Sequence, residues 1–330
     1  MPSQKLSEVH VGMTSLQKPV LSVVVAIVSD TAEARAGTHH LAGCLEAFLD
    51  QIDAPPMEII VPYLKDVDGI DVLQKQFPAV RFIPVDGLQF SSQHGGSREH
   101  HDILRARGLA AAQGDFVALF EDHARPDKNW CAAVVAAHRE EYAAIGGAIE
   151  NGIDRPLNWA VYYCDFGKYQ NPIASGPSGF ASDANISFKR SALESIRATW
   201  EQSFREVVVN GSLIARGEKV ALQPDIIAYQ HRSDLRLGRA LRERFIWGRS
   251  YAVTRSELFS NQKRMLYAAL SVLLPGILMM RMTITAWKRQ RHFGKFLRAL
   301  HLMAMLQIMW SLGEGVGYMV RVRSLSASDE

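Results

Sequence analysis

The chain of 330 residues is long enough for one large α/β domain with an appendage, or for two modest domains. Hydrophobic residues at 48% and charged residues at 22% are ordinary globular usage, which excludes wholesale disorder. The net charge of +3 is small but uneven: from Arg232 to Arg264 nine Lys or Arg stand against three acids (Asp234, Glu243, Glu257), which points to an anionic partner at that stretch.

In chain order, residues 1–18 are a polar tail, and "MPSQKLSEVHVGMTS" lacks the apolar core of a signal peptide. "LSVVVAIVSD" (Leu21–Asp30) is a β-branched run of strand length, the mark of a strand buried on both faces of a parallel sheet. The spacing of Leu41, Cys44, Leu45, Phe48 and Leu49 predicts a helix from about His40 to Gln51. Pro56–Tyr63 is predicted as the second strand, Val67–Gln76 as a helix and Val80–Val85 as the third strand. A helix from about Arg98 to Ala112 is closed by Gly114 and followed by a strand over Asp115–Phe120. This alternation predicts a nucleotide-binding α/β domain, whose ligands lie outside the carboxyl ends of the strands. At one such end "LFEDHARPDKNW" places Glu121, Asp122 and His123 in succession. A helix after Pro126, a strand at "AIGGAIEN", a loop over Asn171–Ser182 and the segment "ANISFKRSAL" complete a domain spanning residues 19–231. The three cysteines, Cys44, Cys131 and Cys164, form no CxxC pair and are expected to be reduced thiols in a cytoplasmic compartment.

Residues 232–264 carry arginines on several faces of a predicted helix, with Phe245, Trp247 and Tyr251 between them, a composition suited to a membrane interface. Nucleic acid is set aside because the neighbouring segment is apolar. From Met265, "MLYAALSVLLPGILMM" has sixteen residues without a charge, and a second apolar stretch runs from Phe296 to Val320. The first stays apolar past Arg281 to Trp287, so each segment is long enough to cross a bilayer, for which about 20 residues are needed. Two spans with a cytoplasmic domain would put the basic "KRQRHFGK" loop outside, against the positive-inside tendency, whereas a re-entrant or interfacial pair would not. The expected end of the chain, residues 265–330, is therefore a hydrophobic helical hairpin associated with membrane lipids on the cytoplasmic face of the inner membrane.

The stretch Arg105–Trp130, "RARGLAAAQGDFVALFEDHARPDKNW", resembles the family 2 glycosyltransferases, inverting enzymes with the GT-A fold. Gly108-Leu109, Ala112 and Gly114 fit the family's G-L-x-x-A-x-G helix end, and Glu121-Asp122-His123 falls where its D-x-D acid pair belongs. The resemblance implies an α/β GT-A domain, a Rossmann-like and mostly parallel sheet flanked by helices, acting on a nucleotide-sugar donor. In an extended segment residues i and i+2 face the same way, so Glu121 and His123 are the expected ligands of a divalent cation, while Asp122 turns to the donor. Histidine in place of the second aspartate favours Mn²⁺ over Mg²⁺.

Further roles follow from the same resemblance. Asp30, Tyr63 and Asp66 (or Asp68) are candidates for the nucleoside, and Arg98 and Arg105 for the donor's phosphate. "NISFKR" (Asn185–Arg190) resembles the family's N-x-x-F-R-R strand. Glu206 in the segment that follows takes the base position, with Asp183 and Glu201 as lesser candidates. His231, Arg242 and Arg249 are expected on the diphosphate or acceptor side. The implied activity is transfer of a sugar, from UDP by preference, to a saccharide or lipid-linked acceptor in cell-surface polysaccharide synthesis. Two alternatives stand beside it: a polyprenyl-phosphate sugar synthase, and a non-catalytic membrane scaffold with a degenerate D-x-D.

Overall fold

The computed structural model of the protein describes residues 18–28, 38–65, 67–86, 99–256 and 259–320. Its centre is a nine-stranded sheet of β1 (Leu21–Ala26), β2 (Met57–Leu64), β3 (Arg81–Val85), β4 (Phe116–Glu121), β5 (Ala124–Pro126), β6 (Ala144–Asn151), β7 (Gly176–Pro177), β8 (Asn185–Lys189) and β9 (Val220–Gln230). The order across it is β3-β2-β1-β4-β8-β6-β9-β5, with β7 on β9. The predicted parallel half is present as β3-β2-β1-β4. Beyond it the sheet is mixed, because β8 runs antiparallel between β4 and β6 while β9 runs parallel to β6.

Every residue of β1 is buried, as its continuous apolar run predicts for a central strand covered on both faces. The one polar member, Ser22, is fully buried and fully used. Its hydroxyl donates to Glu58 Oε1 at 2.6 Å and accepts the Gly114 N–H at 2.8 Å. That bond ties the turn before β4 onto β1 and leaves no room at Gly114, where a Cβ would come within 2.7 Å of the Ser22 backbone nitrogen. At Gly108, in helix α3 (Glu99–Ala111), a Cβ would overlap the Val24 side chain. The small-residue pattern is thus a close-approach pattern that sets α3 against β1.

The flanking helices in the first half are α1 (His39–Leu49), α2 (Ile70–Gln76) and α4 (Trp130–Ala137). The sequence reading missed α5 (Pro156–Asp165), although Pro156 at its first turn is an ordinary start signal. Then come α6 (Arg190–Ser195), α7 (Glu206–Ala215) and α8 (Leu237–Arg255). The apolar tail forms α9 (Asn261–Leu270), α10 (Leu274–Arg289) and α11 (Phe293–Met319).

The tail is not a separate appendage. A Cβ at Gly248 of α8 would overlap the Trp310 carbonyl, and one at Gly313 of α11 would overlap the Phe245 carbonyl. At Gly317 it would come within 2.5 Å of the Arg249 carbonyl. Glycines four apart on one helix let two backbones meet this closely. At the other end Phe296 of α11 packs edge-on against Tyr163 of α5. The basic turn between α10 and α11 is also fixed to the sheet domain. Arg289 donates to the carbonyls of Gly167 (2.7 Å), Gln170 (2.8 Å) and Lys168 (2.8 Å), and Arg291 pairs with buried Glu150 at 2.8 Å.

This seam yields a stability prediction. Gly313→Ala should lower the melting free energy by about 1–3 kcal/mol, the usual cost of overpacking. Gly211→Ala, at an exposed site in α7 with open space around its Cβ, should be neutral or stabilise by up to about 1 kcal/mol through helix propensity. Thermal melts of the two variants beside the wild type check both signs; equal effects would mean that α11 is not held at the glycine seam.

Candidate active site

Four elements converge at the carboxyl ends of β1 and β4. β4 ends in Glu121, α3 supplies Arg105, the turn before β8 supplies Asp183, and the first residue of α7 is Glu206. These four line one cavity together with His101, His123, Lys168, Tyr169, Ser182 and Gln230.

Arg105 is the centre of the cluster and is 1% exposed. Its Nη2 lies 3.1 Å from Asp183 Oδ2 and 3.3 Å from Glu121 Oε1, and its Nη1 lies 3.4 Å from Asp102 Oδ1. Burial disfavours the charged guanidinium, but Asp183, Glu121 and Asp102 outweigh it and hold the group charged. Arg105 Nε is buried and has no hydrogen-bond partner in the protein, so one donor of the group remains unsatisfied.

Glu121 is 8% exposed. Its Oε2 lies 3.4 Å from Gln230 Nε2 and 3.4 Å from His123 Nε2. Burial pushes its carboxyl up from the usual range, with His123 and Arg105 pulling the other way. Asp122 turns inward: it is fully buried and its Oδ1 accepts the Val28 N–H at 3.0 Å. Asp122 thereby ties the end of β4 to the end of β1. The His123 ring sits between Asp122 Oδ1 (3.3 Å) and Glu121 Oε2.

Glu206 is also strongly perturbed. Its Oε2 accepts the Asp183 N–H at 3.2 Å. Burial, and then repulsion from the Asp183 carboxylate, push it up to about 8, while Lys168 pulls it down. A carboxylate with a proton affinity near neutral pH, beside a second carboxylate already committed to an arginine, is arranged to accept a proton from a ligand hydroxyl.

The structure does not bring every predicted residue here. Asp30, Asp66 and Arg98 lie outside the described residues. Tyr63 is partly buried at the end of β2, packed on the core and away from the cavity. Glu201 belongs to a surface pair with Arg197 at 3.5 Å. His231 is displaced in favour of its neighbour, since side chains alternate along β9 and Gln230 is the one that faces Glu121. The His231 backbone N–H donates to the His123 carbonyl at 2.7 Å. Arg242 is exposed, and neither it nor Arg249 lines the cavity. On α8 the lining residues are Glu243 and Trp247, one turn apart, and Arg242 and Arg249 point elsewhere on the same helix.

Lys168, Tyr169 and Gln230 are among the lining residues that the sequence did not single out. Gln230 adjoins a residue it singled out, and Lys168-Tyr169 lie in a short 3₁₀ turn with no motif to mark them. Asn185 of the N-x-x-F-R-R-like strand has a structural role. Its amide donates to the Ala148 and Ile226 carbonyls, each at 2.9 Å, where the β6–β9 register shifts, and accepts the Trp130 indole N–H at 2.9 Å.

Among the described residues no group of three or more His, Cys, Asp or Glu is placed to hold a metal ion. The pair Glu121 Oε2 and His123 Nε2, 3.4 Å apart, is close enough for both to reach one cation at bond lengths of about 2.1 Å. A mixed oxygen–nitrogen pair fits an ion that takes its remaining ligands from a diphosphate and water.

Residues 38–197 match the family model described as "Glycosyl transferase family 2". No curated protein matches the chain. Among solved structures, the mannosyltransferase PcManGT from Pyrobaculum calidifontis, in complex with GDP-Man and Mn²⁺, is 15% identical with a TM-score of 0.50, over 91% of this chain and 88% of that one. S. aureus TarS is 11% identical with a TM-score of 0.48, over 86% of this chain and 54% of that one. TarS 1–349 in complex with UDP is 10% identical with a TM-score of 0.46, over 87% of this chain and 90% of that one. The first of these likenesses shows a shared fold. The family match over residues 38–197, just under half of the chain, lies on the GT-A sheet that carries the cavity.

Proposed function

We propose that the protein is an inverting, membrane-associated glycosyltransferase that moves a sugar from a nucleoside-diphosphate donor, UDP-sugar by preference, to a saccharide or lipid-linked acceptor in cell-surface polysaccharide synthesis. The observation that carries this reading is the juxtaposition of Arg105, Glu121, Asp183 and Glu206 in one cavity at the carboxyl ends of the strands. An acceptor hydroxyl attacks the anomeric carbon as the bond to the diphosphate oxygen breaks, and the hydroxyl proton passes to Glu206. Asp183, held by Arg105, keeps the negative potential that raises the proton affinity of Glu206. Glu121 and His123 are the residues that would hold a divalent cation, which would neutralise the leaving diphosphate. The unsatisfied Nε of Arg105 remains available to a donor oxygen.

Membrane association rests on the tail. Two helical runs, Asn261–Arg289 and Phe293–Met319, are long and apolar enough to cross a membrane by length and composition, and 6% of the first run's apolar window is buried against 39% of the second's. Val272, Leu273, Met280 and Trp287 are all more than half exposed. The turn that joins the runs is clamped to the sheet domain by Arg289 and Arg291, whereas a spanning pair would carry that turn to the far side of the bilayer. The reading that fits is a hairpin lying in the interface with α11 against the protein and α9–α10 against lipid.

Three measurements test these assignments. Incubating the purified chain with a panel of nucleotide-sugars should give slow hydrolysis of one donor; binding of a nucleoside diphosphate with no turnover of any donor would favour the scaffold reading. Titration calorimetry with UDP and GDP should show tighter binding with Mn²⁺ present, and His123→Ala should lose most of that gain. Equal affinity in EDTA would remove the cation from the assignment.

The base is tested by pH. Transfer by the wild type should rise as pH increases through about 8, because Glu206 must be deprotonated to accept a proton. Glu206→Gln should lower transfer by roughly 10²–10⁴-fold with donor binding retained. The same shift has a stability consequence: the native value lies above the unfolded one, so what protonated Glu206 contributes is lost as pH rises through about 8. Glu206→Gln should therefore melt above the wild type on the alkaline side, with the gap closing on acidification. A larger loss of transfer in Asp183→Asn, with Glu206→Gln near wild type, would place the base on the other carboxylate.

A further inference from the structure

A second cavity of about 500 Å³ lies between α5, α8, α10 and α11, a volume in the range of small-ligand sites. It is continuous in its lining with the catalytic cavity, because Asp165, Lys168 and Trp310 belong to both. Its walls are of two kinds. Along α10 the face made by Leu274, Leu278, Met282 and Ala286 supplies an apolar side at helical spacing. The same lining holds four cations, Lys168, Arg244, Arg255 and, on α10 itself, Arg281, against two acids. Both acids are already engaged: Asp165 is paired with Arg244, and Glu314 accepts the Trp310 indole N–H and the Tyr318 hydroxyl, each at 2.9 Å. Lys168, Arg255 and Arg281 have no carboxylate within ion-pair distance among the described residues. Lys168 lies over the Tyr169 and Phe180 rings at 4.7 Å from each centroid, and Arg255 lies over the Tyr267 ring at 4.9 Å.

A channel lined by an apolar helix face and by three cations that lack a carboxylate partner among the described residues selects against both a plain sugar and a neutral lipid. A free saccharide would leave the apolar wall of α10 without a partner, and an uncharged lipid would leave Arg255 and Arg281 without an anion. The outer face of the same helix, with Ile277, Met280, Ile284 and Trp287 largely exposed, borders the cavity on the side read above as lipid-facing.

We propose that this second cavity is the acceptor site, and that the acceptor is a lipid-phosphate-linked saccharide. Its hydrocarbon chain lies along Leu274, Leu278 and Met282, its phosphate meets Arg255 and Arg281, and its sugar passes Lys168 to present a hydroxyl to Glu206. The proposal rests on the glycosyltransferase reading above and names the acceptor class for it. The chemical step is the one already given: the acceptor oxygen gains the glycosyl bond, Glu206 gains the proton, and the nucleoside diphosphate departs with the electrons of the broken bond.

The test is calorimetric binding of dodecyl phosphate, below its micelle concentration, to the purified full chain. One dodecyl phosphate should bind per chain, with inorganic phosphate and the neutral amphiphile dodecyl maltoside binding at least tenfold more weakly. Arg281→Glu, a reversal at an exposed helix position, and Leu278→Trp, which fills the apolar wall, should each weaken binding on the order of tenfold or more, as loss of a charge-assisted contact does. Circular dichroism confirms that each variant is folded. Equal binding of dodecyl maltoside would reduce the site to an apolar surface, and equal binding of inorganic phosphate would remove the lipid from it. A short-chain phosphatidylglycerol that binds as well as the monoester would make bulk anionic lipid the occupant. Unchanged binding in both variants would place the amphiphile elsewhere, and any of these results overturns the proposal. UDP and GDP titrations of the wild type separate the two readings. Nucleotide binding without dodecyl phosphate binding overturns the acceptor site alone, and the reverse overturns the donor reading alone.

Discussion

The site depends on one buried cation. Arg105 brings Asp102, Glu121 and Asp183 within 3.4 Å of a single guanidinium at a position almost closed to water. Without it, carboxylates drawn from α3, β4 and the turn before β8 would repel one another in a medium that screens poorly. Removing one partner from such a buried arrangement costs about 3–5 kcal/mol, which is more than most single contacts in a domain. Arginine suits the task better than lysine, because its planar fork reaches several acceptors at once and it stays charged when buried.

Burial, and then repulsion from the Asp183 carboxylate that Arg105 holds, give Glu206 an elevated proton affinity. The two carboxylates are pushed apart in character by their surroundings: one is tied to a cation, while the other is held by a backbone N–H and faces the first charge. Division of labour between neighbouring acids of this kind is what acid–base chemistry near neutral pH requires. The position of Arg105 depends in turn on how closely α3 lies on β1, which is why residues 108 and 114 have no side chain.

The tail and the site are coupled by ordinary packing. The glycine seam of α8 and α11 lays the C-terminal helix along the domain, and Arg289 at the hairpin turn clamps the carbonyls of the 167–170 turn. That turn carries Lys168 and Tyr169 into the cavity lined by Arg105, Glu121 and Glu206. The apolar hairpin thus holds one wall of the candidate site. Of the tail that reads in sequence as a membrane-associated hairpin, α11 has Phe296, Ala299, Met303 and Leu306 buried in the domain's own core.

The sequence by itself determined the alternation of strands and helices in the first half, because a fully buried strand must be apolar throughout and a helix on one face must repeat its apolar residues every three or four. It also marked Gly108 and Gly114, through likeness to a family pattern, and placed Glu121-Asp122-His123 at the end of β4, whereas the close approach that the two glycines allow is seen only in the structure. Arg105, Asp183 and Glu206 could be singled out by their resemblance to a family pattern, but their meeting could not, since they come from elements distant in the chain. Tertiary structure alone decided three further matters. Strand parity on β9 turned Gln230 rather than His231 to Glu121. Helix phase on α8 faced Glu243 and Trp247 to the cavity and turned Arg242 and Arg249 away. The hairpin was laid along the domain because glycine lets two helix backbones meet where any side chain would hold them apart. Pattern in a sequence records what each segment must bury; which segments bury it against one another is settled only by the whole fold.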